Sequence, residues 1–141
     1  MLFNTSYKNK DYTRESFKLL GSPYSFIEKI KMGGIGSSRL IIEELSNKLK
    51  PINMHTTAIG YANIELRPRG IIVHFSNRLK RYSWIIPYYR LITYSNVCFS
   101  IHSNGNFIKF KKNKNYINNK NFLFRMTQLK VSYLNLGYYD V

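Results

Sequence analysis

Between Tyr61 and Lys112 apolar and polar residues alternate with the period of two that marks strands with one buried face. Taking Pro68-Arg69 as a two-residue turn sets Leu66 opposite Ile71, Ile64 opposite Val73 and Ala62 opposite Phe75, all on one face. A second turn at Asn77-Arg78 sets Val73 opposite Tyr82 and Ile71 opposite Trp84, again on that face. Asn104-Gly105 tolerates the positive φ of a tight hairpin; it pairs Ile101 with Ile108 and Phe99 with Phe110, leaving Ser100/Lys109 and Cys98/Lys111 outward. Leu91, Ile92 and Tyr94 supply another strand after the Pro87-Tyr88-Tyr89 corner. The pattern predicts an antiparallel meander of about six strands.

Outside this region the period changes to that of a helix. Phe122, Met126, Leu129 and Tyr133 fall on one helical stripe, with Gly137 as terminator and Lys111 to Asn119 as a polar spacer before it. Upstream, Ser22 as N-cap and Pro23 at the first position open a short helix, whose Phe26, Ile27 and Ile30 give one apolar side before Gly33-Gly34. A second short helix is predicted from Ser38 through Ile41, Ile42, Leu45 and Leu49, with Glu43 and Glu44 early in it and Pro51 ending it. The fold class is α+β. Residues 1–57, a polar lead and two short helices, pack on residues 58–141, an antiparallel sheet closed by a C-terminal helix, as one globular unit.

Composition narrows the class. With 44% apolar and 16% aromatic residues in 141, the chain can bury a core. Cys98 is the only cysteine, so neither a disulfide framework nor a cysteine-based zinc site is available. Charges interrupt the start, MLFNTSYKNKDYTRESF, too early for a signal peptide, and no apolar run is long enough to span a bilayer, so a cytoplasmic protein is expected.

Charge then points to a partner. From Leu66 to Tyr139 there are thirteen Lys and Arg residues and no Asp or Glu, within a net charge of +15. Abundant Asn, Lys, Ile and Tyr match AT-rich coding, which raises Lys without selection, but eight of the 22 Lys and Arg residues of the whole chain are Arg. A field of one sign attracts phosphate-bearing or carboxylate-rich surfaces. Alternating turns gather Arg78, Lys80, Arg81, Lys111, Lys112 and Lys114 at one end of the meander, and Arg67 and Arg69 at the other. These eight are the candidate anion-binding residues; a solvated rim that keeps sheet edges from pairing is the alternative.

Other chemistry is sparse. Glu65, His74, Arg81 and Ser83 share the outward face, with His74 opposite Asn63 and Arg81 and diagonal to Glu65, which a solvated polar ladder explains; no catalytic residue is assigned. His55, His74 and His102 lack metal-ligand spacing, so no metal or cofactor is expected. MGGIGSSR, residues 32–39, lacks the Gly-Lys-Ser/Thr ending of a phosphate loop and reads as a turn. Aromatic residues interleave with cations in RLKRYSWIIPYYR and FIKFKKNKNY, as in single-strand nucleic-acid platforms, yet the register buries Tyr82, Trp84 and Phe110. Phe107, Tyr88, Tyr89 and Tyr116 are left for stacking. Nucleic-acid binding by backbone electrostatics is therefore the alternative function, and an unrecognised enzyme a third.

The segment RPRGIIVHFSNRLKRYSWIIPYYRLITY, residues 67–94, resembles the strand-turn-strand, Ile-Pro-Tyr corner and following strand of bacterial pleckstrin-homology-like (PH-like) domains. The resemblance spans residues 58–136; as a whole the chain resembles small uncharacterised bacterial proteins. It implies a half-barrel closed by the C-terminal helix and a non-enzymatic binding or scaffolding module, docking to an anionic protein or membrane surface.

Overall fold

The computed structural model describes residues 1–49, 60–77 and 80–139. Its elements are β1 (Leu2–Asn4), α1 (Lys10–Leu20), α2 (Phe26–Met32), β2 (Leu40–Leu45), β3 (Tyr61–Arg67), β4 (Gly70–Asn77), β5 (Lys80–Pro87), β6 (Ile92–Ser95), β7 (Phe99–Ser103), β8 (Asn106–Phe110), α3 (Lys114–Asn118) and α4 (Lys120–Tyr139). One antiparallel, unclosed sheet runs in the order β1-β5-β4-β3-β2-β8-β7-β6. The strands β3 to β8 therefore form two three-stranded meanders, joined through β2, instead of one six-stranded meander. The predicted boundary at 57/58 lies outside the described residues. The N-terminal segment does more than pack on the sheet, since it supplies β1 and β2.

The stretch predicted as a second short helix is strand β2. It pairs with β3 at Leu40↔Ala62 and with β8 at Ile42↔Phe110 and Leu45↔Ile108, with a shift in register between Ile42 and Glu44. That bulge inserts one residue, so buried Ile42 and Leu45 stand three apart and imitate a helical spacing. The β-branched pair Ile41-Ile42 suits the pleat. Glu43 and Glu44, both outside, meet Lys111 (4.0 Å) and Lys109 (3.3 Å) on the neighbouring strand side.

The expected pairings Leu66↔Ile71, Ile64↔Val73 and Ala62↔Phe75 are present. Between β4 and β5 the register differs from the sequence reading: Val73 pairs with Trp84 and Ile71 with Ile86, and Asn77 stands opposite Lys80. A shift of two leaves every side chain on its face, because the strand period is two. Ile101↔Ile108 and Phe99↔Phe110 pair as expected, around Asn104 (φ 51°) and Gly105 (φ 79°). Cys98 and Lys111 are not a cross-strand pair; β7 begins at Phe99, and the Lys111 N–H donates to the Ile41 carbonyl.

The inner face is dry. Leu40, Ile64, Val73, Trp84, Ile101, Ile108 and Phe110 are buried together with Phe122 and Met126 of α4, while Leu129 and Tyr133 pack at its margin. Helix α4 continues through Gly137 to Tyr139, and the polar spacer before it contains α3. On the outer face α1, which lies in the segment read as a polar lead, forms a second cluster: Leu20, Ile72 and Ile85, flanked by Phe3, Tyr12 and Leu19. Its few apolar residues were masked by Lys, Asp, Thr, Arg and Glu around them. Helix α2 is capped by Ser25, not Ser22, because Ser25 and Glu28 close a reciprocal capping box.

Two substitutions check this packing. Trp84, 2% exposed, fills the inner face opposite Val73, and Trp84→Ala is expected to cost about 3–5 kcal/mol in chemical denaturation. At Gly70 an added Cβ would meet the Ile86 carbonyl oxygen and Leu20 Cδ2 at 2.4 Å, so Gly70→Ala is expected to loosen α1 and lower stability. Wild-type denaturation midpoints in either variant would contradict the arrangement.

Candidate functional site

Three rows cross the outward face of β3, β4 and β5. Glu65, Ile72 and Ile85 form the first; Asn63, His74 and Ser83 the second; Tyr61, Ser76 and Arg81 the third. Helix α1 covers the first row through Ile72 and Ile85, and the third is open. The β4–β5 register puts Ser83 opposite His74, where the sequence reading had placed Arg81.

The boundary between covered and open rows is a continuous hydrogen-bonded chain. Arg67 Nε donates to Glu65 Oε2 at 2.6 Å, His74 Nε2 lies 3.0 Å from Glu65 Oε1, His74 Nδ1 lies 2.8 Å from Ser83 Oγ, and Ser83 Oγ lies 2.8 Å from Thr5 Oγ1. An ionised Glu65 can only accept, so Nε2 carries a proton; in the neutral ring Nδ1 then accepts from the Ser83 hydroxyl, whose oxygen accepts from Thr5. Burial pushes the Glu65 carboxyl up, but hydrogen bonds from His74 and Arg67 and the Arg67 charge outweigh it and hold the group below the usual value. Burial of Tyr12, which α1 packs against the Ile72 and Ile85 cluster of the sheet, pushes its phenol up, helped by the Glu65 charge.

Beyond this chain lies a depression of about 270 Å³, lined by Arg39, Tyr61, Asn63, His74, Ser76 and Arg81. Arg39 reaches it because the segment before β2 already runs along β3: Leu66 N–H donates to the Ile35 carbonyl and Ser37 N–H to the Ile64 carbonyl, each at 2.8 Å. Its guanidinium lies 5.1 Å from the Tyr61 ring centroid. Among the described residues no carboxylate lies within salt-bridge distance of Arg39 or Arg81. Two cations thus flank a floor of hydrogen-bonding side chains, an arrangement that can take an anion.

The eight candidate anion-binding residues are scattered by the fold. Arg78 lies outside the described residues. Lys80 and Arg81 open β5, while Lys111, Lys112 and Lys114 follow β8; four strand steps, about 19 Å, separate β5 from β8 in the sheet. Lys111 faces Glu43, and Lys112 lies over the Tyr116 ring at 5.5 Å. Arg39, absent from the expected set because it fell in the first turn of a supposed helix, stands between the two groups, its carbonyl accepting from Asn115 of α3 (3.2 Å). At the other end Arg67 is buried; it donates to the Gly21 carbonyl at 2.7 Å as well as to Glu65, and Arg69 donates to the Lys18 carbonyl at 3.0 Å. Both arginines satisfy the C-terminus of α1, which explains their charge structurally.

Tyr88, expected as a stacking surface, is buried and donates to the Arg67 carbonyl at 3.1 Å. His102 lies apart on β7 and contacts Ser100 Oγ at 2.9 Å; burial and then Lys109 push it down. His55 lies outside the described residues, among which no group of three metal-binding side chains occurs. No helix among the described residues is long and apolar enough to cross a membrane. No protein-family model matches the chain, and neither a curated protein nor a solved structure shows significant similarity to it.

Because the folded Glu65 pKa is depressed, its contribution to stability is complete above the ordinary value of 4.5 and is lost as the pH falls from there through the folded value. Glu65→Gln is therefore expected to be less stable than wild type at neutral pH, with the gap narrowing below pH 4.5 in urea titrations. A gap independent of pH would contradict the assigned chain.

Proposed function

We propose that the chain is a PH-like, non-enzymatic docking module that receives an anionic group of a protein or membrane partner between Arg39 and Arg81. The observation that carries this reading is the pairing of two arginines without carboxylate partners, among the described residues, across the floor of Asn63, His74 and Ser76. An antiparallel sheet with one apolar face under a C-terminal amphipathic helix supports the PH-like part. The net charge of +15 supports an anionic partner.

A second reading rests on the order Ser83, His74, Glu65, which has the nucleophile, base and orienting acid of an acyl hydrolase at 2.8 and 3.0 Å. Against it, Ser83 is fully buried and its hydroxyl is shared with Thr5. A nucleophile must reach a substrate carbonyl. Ester turnover that disappears in a folded His74→Ala variant would favour the hydrolase.

The docking reading is tested with phosphatidylserine-rich vesicles, an acidic phosphopeptide and single-stranded DNA as probes. Arg39→Glu with Arg81→Glu is expected to weaken the bound probe at least about tenfold and to flatten its salt dependence, because two charge-assisted contacts are removed. Unchanged affinity would contradict the site. Tightest binding to DNA, independent of its sequence, would favour the nucleic-acid alternative.

A further inference from the structure

Helix α2 is held by polar devices, and its apolar side faces out. Glu28 N–H donates to Ser25 Oγ at 3.3 Å and Ser25 N–H to Glu28 Oε1 at 3.1 Å, which closes its start. At its end Gly33 takes φ 75°, Gly34 N–H donates to the Lys29 carbonyl at 2.9 Å, and Arg125 of α4 donates to the Met32 and Gly34 carbonyls. Tyr24, Met32 and Ile35 pack against the core on either side. Between these anchors Phe26, Ile27 and Ile30 are 76%, 65% and 64% exposed.

That exposure runs against the usual economy of a short helix. Seven residues form a marginal helix alone, and helices normally stabilise themselves by turning the apolar stripe inward. At about 100° per residue, Phe26, Ile30 and Ile27 fill an arc of about 100°, with Lys29 just beyond one margin and Lys31 just beyond the other. Glu28, occupied by the cap, points away from that arc. An apolar ridge between flanking cations suits the interface of a bilayer with anionic headgroups. A second copy of this chain would bring another net +15, so charge disfavours self-association as the cover.

We propose that α2 is a prong that inserts Phe26, Ile27 and Ile30 into an anionic lipid surface. The inference rests on the docking reading above and names a membrane as its partner. It uses residues that lie outside the arginine-flanked depression, so the two can fail separately.

The experiment measures cosedimentation of the full chain with phosphatidylserine-rich and with phosphatidylcholine vesicles. The variants are Phe26→Gln/Ile27→Gln/Ile30→Gln and Arg39→Glu/Arg81→Glu. The three α2 positions are exposed, and an unchanged unfolding midpoint verifies that the fold survives. Binding to the anionic vesicles is expected to weaken at least about tenfold in the glutamine variant. Phe26→Trp is expected to shift its emission to the blue on those vesicles, against the constant background of buried Trp84. Wild-type affinity in the glutamine variant, or saturation of Phe26→Trp without a shift, would overturn the prong. If the arginine variant alone loses vesicle binding, or the wild type binds an acidic phosphopeptide but no vesicle, the prong is overturned and the docking reading stands. Binding to none of these probes overturns both.

Discussion

Strand β2 is the constraint on which the rest of the molecule depends. Two three-stranded meanders have apolar faces of their own, but each alone would present edges and too little area for a core. β2 pairs with β3 at Leu40 and Ile41 and with β8 from Ile42 to Leu45, across a bulge between Ile42 and Glu44. That change of partner makes one sheet of two meanders and lets α4 cover both from the inside. The same strand approach brings Arg39 beside Asn63 on the outside, so the candidate site and the core share one cause.

The outer face is divided by what α1 can cover. Ile72 and Ile85 need burial and receive Leu20 and Leu19; two rows further on, the sheet carries only Tyr61, Ser76 and Arg81 and stays open. Between dry and wet halves the strands place the chain Arg67–Glu65–His74–Ser83–Thr5, in which each polar group meets a partner. Arg67 also holds the end of α1 through Gly21, so covering helix and polar boundary are fixed by one side chain. Among the described residues no buried side-chain nitrogen or oxygen lacks a hydrogen bond.

What the sequence disclosed follows the same physics. Faces within β3, β4, β5, β7 and β8 were legible because period-two burial is insensitive to a register error of two, which is why Trp84 was placed inside although its partner is Val73 and not Ile71. The helix α4 stripe was equally plain. β2 was misread because its bulge converts a strand spacing into a helical one, and α1 because most of its surface is charged. The site suffered from both errors. Arg39 was hidden in the first turn of a supposed helix, while Arg67 and Arg69 looked like free cations because nothing in the sequence placed the carbonyls of Phe17, Lys18 and Gly21 beside them.

The central claim is that one open region of the outer sheet, edged by Arg39 and Arg81, takes an anion while the region under α1 does not. Nuclear magnetic resonance titration of the isotope-labelled chain with pyrophosphate tests it most directly. Saturable shifts at the amides of Arg39, Tyr61, Asn63, Ser76 and Arg81, with those of Leu20, Ile72 and Ile85 unmoved, are the predicted result. Shifts that never saturate and spread over all the exposed lysines, or that centre on Lys112 and Lys114, would contradict it.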